Sequence, residues 1–130
     1  MLSEKITVTS YDYLRLRGLA DLEVVKIDMN YLRKILSDML DDADIVSPWE
    51  IPPDVVTMNS KVQLKNYQTQ ECLILSLVFP TDEDSKNNKL SILTPFGVSL
   101  LGRKVGQQIK AQVKVEQLLY QPEAAGDFHL

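Results

Sequence analysis

The sequence is poor in the residues that most active sites need. Its 130 residues include one cysteine, Cys72, and one histidine, His129, which is second from the end. A lone cysteine cannot form an internal disulfide, so the chain fits a reducing compartment and we expect it in the cytoplasm. Cys72 lies in an apolar stretch, where a cysteine usually fills the core. These two residues favour neither a metal site nor a Cys–His or Ser–His–Asp nucleophile, and we predict no enzyme and no cofactor.

Glycine-rich loops and long hydrophobic runs are also missing. The five glycines are scattered and form neither GxGxxG nor GxxxxGK[ST], which excludes the common phosphate-binding loops. The longest apolar stretch, from Cys72 to Phe79, is far shorter than the ~20 residues that span a bilayer. The first residues do not read as a signal peptide. We therefore expect no association with a membrane.

Basic residues are present but not clustered. The net charge is −4, and the excess of acidic residues lies in the first 50 positions. Binding to a nucleic-acid backbone needs clustered Lys and Arg, so we expect no direct nucleic-acid binding. The excess negative charge of residues 1–50 favours a partner with a basic surface, or it serves only to keep the protein soluble.

Two helices are predicted within residues 1–47. The first runs from Tyr11 to Leu22 and is capped by Thr9 or Ser10. The second begins at Asp28 or Asn30, and its apolar residues follow helical spacing over four turns. The short link between the two helices predicts an antiparallel hairpin, a short coiled coil.

The tip of this hairpin carries three carboxylates, which belong to Asp21, Glu23 and Asp28. Clustered carboxylates could hold Mg²⁺, for example inside the active site of a partner. The reading we prefer is that they are ordinary solvent-exposed residues of the tip. The loop at Asp82, Glu83 and Asp84 is the other acidic cluster, and it lacks the pattern of a calcium loop.

A Pro-rich segment, residues 48–54, is predicted to be a stiff linker, and we expect Trp49 to wedge the two parts together. Residues 55–130 then change to the period of β-strands. Strands are predicted at 55–58, 61–65, 72–79, 90–93 and 109–120, of which 72–79 is expected to be central and buried on both faces. Residues 110–115 are predicted to run straight on without a hairpin, and residues 121–130 to be irregular. One short helix, 96–101, follows a Thr cap and a proline. The predicted fold class is therefore α+β.

Four strings in the second part of the chain resemble one bacterial family. They are VVTMNSKV at 55–62, LVFP at 77–80, TPFGVSLLGRKVG at 94–106 and YQPEAAGD at 120–127. They are similar to the regulators of nucleoside diphosphate kinase (Rnk), relatives of the Gre transcript-cleavage factors. The resemblance covers residues 50–130 well and the N-terminal hairpin loosely.

The resemblance implies an FKBP-like, antiparallel β-domain at 55–130 and an N-terminal coiled-coil arm. It also implies bacterial RNA polymerase as the partner, with the β-domain docked near the mouth of the secondary channel. Carried over by position, the docking residues are those of the acidic loop and of one turn: Asp82, Glu83, Asp84, Thr94, Pro95 and Phe96. A Pro–aromatic turn beside an acidic loop also suits a binding surface on physical grounds, as an apolar anchor with a charged rim.

The arm departs from the Gre pattern. Gre factors carry an Asp-x-x-Glu pair at the tip for a catalytic Mg²⁺, and no such pair occurs near the tip here. Helices of about 12–16 residues extend only about 18–24 Å. The chain is therefore predicted to be a non-catalytic, monomeric regulator that competes with Gre-type factors on the polymerase. The alternatives are a Gre-like transcript-cleavage factor and an FKBP-like interaction module with another partner.

Overall fold

The structure is a computed structural model that describes residues 5–21, 27–110, 112–128 and 130. The N-terminal part is built from a strand β1 (Thr7–Thr9), helices α1 (Ser10–Asp21) and α2 (Ile27–Asp42), and a strand β2 (Asp44–Val46). Both predicted helices are confirmed, and α1 begins where the sequence offers a cap. The backbone N–H of Asp12 donates to Oγ1 of Thr9 at 3.0 Å. The parallel pairing of β1 with β2 was not predicted.

Helices α1 and α2, which we call the arm, are joined by their charged residues as well as by their apolar faces. Arg17 on α1 donates to Oγ of Ser37 at 3.0 Å and to the carboxylate of Asp41 at 2.6 Å, both on α2. The apolar residues between the helices are buried, among them Leu16 and Leu36. Within the described ranges, no helix is long and apolar enough to cross a membrane.

The second part is a five-stranded sheet with two short helices. The strands are β3 (Lys61–Asn66), β4 (Glu71–Val78), β5 (Lys89–Ser91), β6 (Gln108–Lys110) and β7 (Val113–Tyr120), in the order β5-β4-β3-β7-β6. The helices are α3 (Pro95–Leu100) and α4 (Pro122–Ala125). This confirms the α+β class. The sheet is antiparallel except for β4 and β5. These two strands pair in parallel because the loop at 79–88 carries the chain back until Lys89 lies opposite Ser76.

The prediction of a strand at 55–58 is wrong. These four residues are buried, but only Val55 makes a β-bridge, to Lys104. Val56 exchanges backbone bonds with the turn after α3, accepting from Gly102 at 2.9 Å and donating to Arg103 at 2.8 Å. The segment is enclosed on all sides, so its apolar character reflects burial and not a sheet face.

The prediction that residues 72–79 are buried on both faces is wrong for the first half of the strand. Leu75, Leu77 and Val78 are buried, whereas Leu73 is 48% exposed and Ile74 40%. Cys72, expected to be a core residue, is exposed as well. Cys72 and Ile74 lie opposite Lys65 and Gln63 on the sheet face turned away from the core, and β5, only three residues long, flanks only the end of β4.

The prediction that residues 110–115 run straight on is also wrong. Strands β6 and β7 form an antiparallel hairpin in which Lys110 pairs with Val113. Gln112 occupies the left-handed region with φ 71° at the turn. Turns of this kind usually carry Gly, Asn or Asp, so a glutamine gave no turn signal in the sequence. Residues 121–130, which were predicted to be irregular, contain α4, and Gly126 caps the C-terminal end of this helix with φ 84°.

The arm and the sheet contribute to one hydrophobic core. Leu16 and Leu36 of the arm belong to the same buried cluster as Met58, Leu77 and Leu100. Trp49, predicted to wedge the two parts together, is instead 68% exposed. It lies on the surface, with its ring centroid 6.4 Å from that of Tyr11 and 4.9 Å from that of Phe128, and it links α1 to the C-terminal tail.

Candidate functional site

The acidic loop between β4 and β5 is exposed and ordered by its own hydrogen bonds. It consists of two short 3-10 turns, Pro80–Asp82 and Ser85–Asn87, joined by Glu83 and Asp84. The carboxylate of Asp84 caps the second turn, accepting from the Lys86 backbone at 3.2 Å and from the Asn87 amide at 2.6 Å. The Asn87 bond lowers the pKa of Asp84 below its usual range. Asp84 is thus a cap that shapes the loop, while Asp82 and Glu83 present their carboxylates to solvent.

The turn at Thr94–Phe96 is fixed by a helix cap and a glycine. Oγ1 of Thr94 accepts from the Gly97 backbone at 2.9 Å and donates to the Ser91 carbonyl at 2.8 Å. Pro95 follows as the first residue of α3, the position where its missing N–H costs nothing. Pro95 is exposed and Phe96 half-buried, so the turn presents an apolar surface on a rigid base.

Gly97 is a site residue that the sequence analysis missed. A Cβ atom at this position would collide with the Ser91 backbone oxygen and lie 2.8 Å from Oγ1 of Thr94. Only glycine lets α3 begin this close to the end of β5. The string Thr-Pro-Phe-Gly held a signal for this, because it places a glycine inside a predicted helix, where glycine costs about 1 kcal/mol relative to alanine.

Two clefts bring the loop and the turn to either side of one residue, Leu73 on β4. The first cleft, of about 310 Å³, is lined by Leu73, Phe96 and Val113 among others. The second, of about 200 Å³, is lined by Leu73, Glu83 and Leu90 among others. The lining of these two clefts includes neither Asp82 nor Asp84. Leu73 was not predicted as a site residue, because the sequence placed it inside a buried strand.

The arm tip is described only at Asp21. Asp21 is the last residue of α1 and is exposed, and its carboxylate lies 3.8 Å from Nη1 of Arg17. Glu23 and the side chain of Asp28 lie outside the described residues. In the part of the chain that the structure describes, no group of three or more His, Cys, Asp or Glu residues is placed to hold a metal ion.

A second missed residue, Asp12, joins the arm to the β-domain. Its carboxylate is buried, accepting from the Met58 backbone at 3.1 Å and from Arg15 at 2.7 Å. The pKa of Asp12 is raised to about 6, chiefly by burial and also by the nearby Glu123, while the bonds from Met58 and Arg15 lower it. Asp12 follows a cap in the sequence, which predicts a surface role, and nothing local indicates its burial.

Comparison with known proteins agrees with this architecture. Residues 50–121 match the family model described as "Transcription elongation factor, GreA/GreB, C-term". The regulator of nucleoside diphosphate kinase of Escherichia coli K12 is 42% identical over 103 residues, which are 73% of this chain and 76% of that protein. The transcription elongation factor GreA of Clostridium acetobutylicum is 37% identical over 78 residues, and the match covers 60% of this chain and 49% of that factor.

A solved structure extends the likeness to the arm. The structure titled prokaryotic transcription elongation factor GreA/GreB from Nitrosomonas europaea has a TM-score of 0.77 and 36% identity, covering 91% of this chain and all of that one. The likeness therefore includes both the helical N-terminal part and the β-domain. The chain belongs to the GreA/GreB family of transcription elongation factors, together with the regulator of nucleoside diphosphate kinase.

Proposed function

We propose that this protein binds RNA polymerase near the secondary channel and does no chemistry there itself. The observation that carries the proposal is the pairing, on either side of Leu73, of a rigid Pro95–Phe96 turn with an acidic loop, in a chain of the Gre family. Half-buried aromatic anchors with a charged rim are typical of protein interfaces. Asp82 and Glu83 would meet a basic surface, and Asp84 and Thr94 would hold the loop and the turn in shape.

In this proposal residues 55–130 form the docking domain, residues 48–54 the linker and residues 1–47 the N-terminal hairpin that contains the arm. With 12 and 16 residues, α1 and α2 extend about 18 and 24 Å. An arm of this length, with no Asp-x-x-Glu pair near its tip, would occupy the entrance without supplying a metal-binding pair. The protein would then compete with Gre-type factors for the same site and leave transcript cleavage unstimulated.

The test is fluorescence anisotropy of the labelled protein with bacterial core RNA polymerase. We expect saturable binding that a Gre factor displaces, and at least a tenfold loss of affinity in the double variant Phe96→Ala, Asp82→Lys, because it removes an anchor and reverses a rim charge. The control is Leu119→Ala, Asp54→Lys, which makes the same change of charge at two other exposed positions and should bind like the wild type.

Three outcomes would contradict the proposal in separate ways. No binding at micromolar polymerase would remove the polymerase as partner and leave an FKBP-like module with another one. Equal losses in the test and control variants would remove this surface. Stimulated cleavage of backtracked transcripts, lost in Asp21→Ala, would show that the arm tip acts as it does in a cleavage factor.

A further inference from the structure

The first half of β4 lies at an open edge of the sheet. Along residues 71–76 this strand pairs with β3, but on its other side it pairs with β5 only at 76–78. Among the described residues, no strand or isolated bridge borders residues 71–75 on that second side. We call Glu71–Leu75 the open edge.

The backbone of the open edge presents hydrogen-bonding groups to solvent. Leu77 bonds toward the β3 side, where its N–H donates to Ser60 at 3.0 Å and its carbonyl accepts from Asn59 at 2.6 Å. Ser76 bonds toward the β5 side, donating to Asn88 at 2.9 Å. Because the direction alternates along a strand, the N–H and C=O groups of Cys72 and Ile74 point toward the open side.

Residues 72–75 of this edge lack the features with which proteins usually protect exposed strands. Charged residues, prolines and bulges normally prevent unwanted pairing. Residues 72–75 contain no charge and no proline, and their register with β3 is regular. The sheet's opposite edge, β6, is only three residues long and carries a register irregularity. The exposed apolar side chains of Leu73 and Ile74 increase this contrast between the open edge and β6.

The second cleft runs along the open edge and adds side-chain selectivity. It is lined by Leu73 and Leu75 from the edge strand and by Leu90 from β5, which form an apolar floor. Glu83 and Lys89 also line it, and the positive charge of Lys89 is partly offset by Asp84, whose pKa it helps to lower. Glu71 stands at the other end of the edge. The charge left to attract a ligand is therefore negative.

We propose that the open edge binds an extended segment of a partner protein, which adds to the sheet as a further strand beside β4. The segment would be about five residues long, because β5 closes the edge at residue 76. It would place an apolar side chain in the second cleft, and basic residues elsewhere on the segment would be attracted by the negative charge of Glu71 and Glu83. Main-chain bonds supply the affinity in this mode of recognition, and the cleft supplies the selection. Binding of this segment would be a property of the isolated protein and would not depend on the polymerase.

The probe is a fluorescent heptapeptide of alternating valine and lysine, titrated against the full chain and followed by anisotropy. Two derivatives carry backbone N-methyl groups, one on the lysines and one on the valines. An antiparallel strand with its valines facing the cleft bonds to β4 through its lysine amides, and a parallel strand through its valine amides. We expect one derivative to bind at least tenfold more weakly and the other to bind like the parent.

A pair of variants tests the same backbone groups on the protein side. Ile74→Pro removes an N–H that points to the open side and makes no bond to β3, whereas Ile74→Ala removes the side chain and keeps the N–H. Ile74→Pro should lose at least tenfold in peptide affinity relative to Ile74→Ala. The N-methyl peptides keep the test valid if the proline variant does not fold.

Amide hydrogen exchange gives the third measurement. In the protein alone, Cys72 and Ile74 should exchange faster than Leu73 and Leu75, and the peptide should slow them selectively. Equal binding of both derivatives, or no binding of the parent peptide, would overturn the proposal. Slow exchange at Cys72 and Ile74 without peptide, together with a dimer in sedimentation, would overturn it as well, because a second copy of the chain would then occupy the edge.

Discussion

Where the arm meets the β-domain, buried polar groups are paired across the joint, whereas at the far end of β4 the backbone is open to solvent. At the joint, the Asp12 carboxylate on the arm accepts from the Met58 backbone, and beside it, within the β-domain, Thr57 donates to Glu123 at 2.7 Å. At the open edge, Leu73 and Ile74 remain exposed although they are as apolar as the buried half of the strand. A buried polar group without a partner is costly, while an exposed apolar strand costs little until something binds it. The joint is therefore built for stability, and the open end is available for recognition.

The largest expected effect comes from the core beneath the joint. Leu36 is fully buried in the cluster shared by arm and sheet, so Leu36→Ala should lower the free energy of unfolding by about 3 kcal/mol. Urea unfolding should remain a single transition, because the cavity affects both parts at once. Leu14→Ala, at a position that is 70% exposed, is the control and should stay within about 0.5 kcal/mol of the wild type. Two separate transitions in Leu36→Ala would show that arm and β-domain are stabilised independently.

The joint should also respond to pH through Asp12. Because its pKa in the folded state is about 6, above the ordinary value, the protonated carboxyl favours folding. This stability is fully present below about pH 4 and is lost as the pH rises through 6, a change of about 3 kcal/mol. In Asp12→Asn the amide oxygen still accepts from Met58 but cannot titrate. The stability of the wild type minus that of the variant should therefore fall by most of this amount between pH 4 and pH 7, measured by urea unfolding.

A matched Asp38→Asn variant controls for the removal of a carboxylate from the exposed surface. If the pH profiles of wild type and Asp12→Asn run parallel, the carboxyl of Asp12 does not titrate in this range and burial at the joint is weaker than its geometry indicates.

The smallest expected effect comes from substituting a glycine, and it differs between Gly97 in α3 and Gly18 on the arm. Gly97→Ala forces a Cβ against the Ser91 backbone and should cost about 2 kcal/mol of unfolding free energy. At Gly18 an added Cβ meets nothing within 4 Å, so Gly18→Ala should instead stabilise the protein by about 1 kcal/mol. Polymerase affinity should fall only in Gly97→Ala, because only that substitution displaces the Pro95–Phe96 turn. A stable Gly97→Ala protein with unchanged affinity would show that the turn can shift without consequence.

Local features of the sequence were sufficient for the elements whose causes are local. The cap at Thr9, the apolar spacing of α2, and the Thr94–Pro95 start of α3 each rest on bonds within a few residues, and all three are confirmed. The family resemblance in residues 50–130 is likewise carried by short strings, and it is confirmed by comparison with known proteins. The docking residues themselves stay a prediction.

The failures occurred where a residue's surroundings come from distant parts of the chain. The run at 72–79 is nearly all apolar, and only its place in the sheet decided that one half is buried and the other exposed. The run at 55–58 is buried by the turn after α3, some 45 residues away, and not by strand neighbours. Neither fact is encoded in the local periodicity of the chain.

By itself, the sequence determined helices α1 and α2, the capped turn that begins α3, the predominance of strands after residue 55 and the family, because these depend on local bonds and on short strings of residues. The tertiary structure alone decided that Asp12 is buried at the joint, that Leu73 lies between the acidic loop and the Phe96 turn, and that the edge at 71–75 is open. The physical reason is that burial and pairing are properties of contacts between residues far apart in the chain. The same apolar strand can complete a core or face a partner, depending on what the rest of the fold places against it.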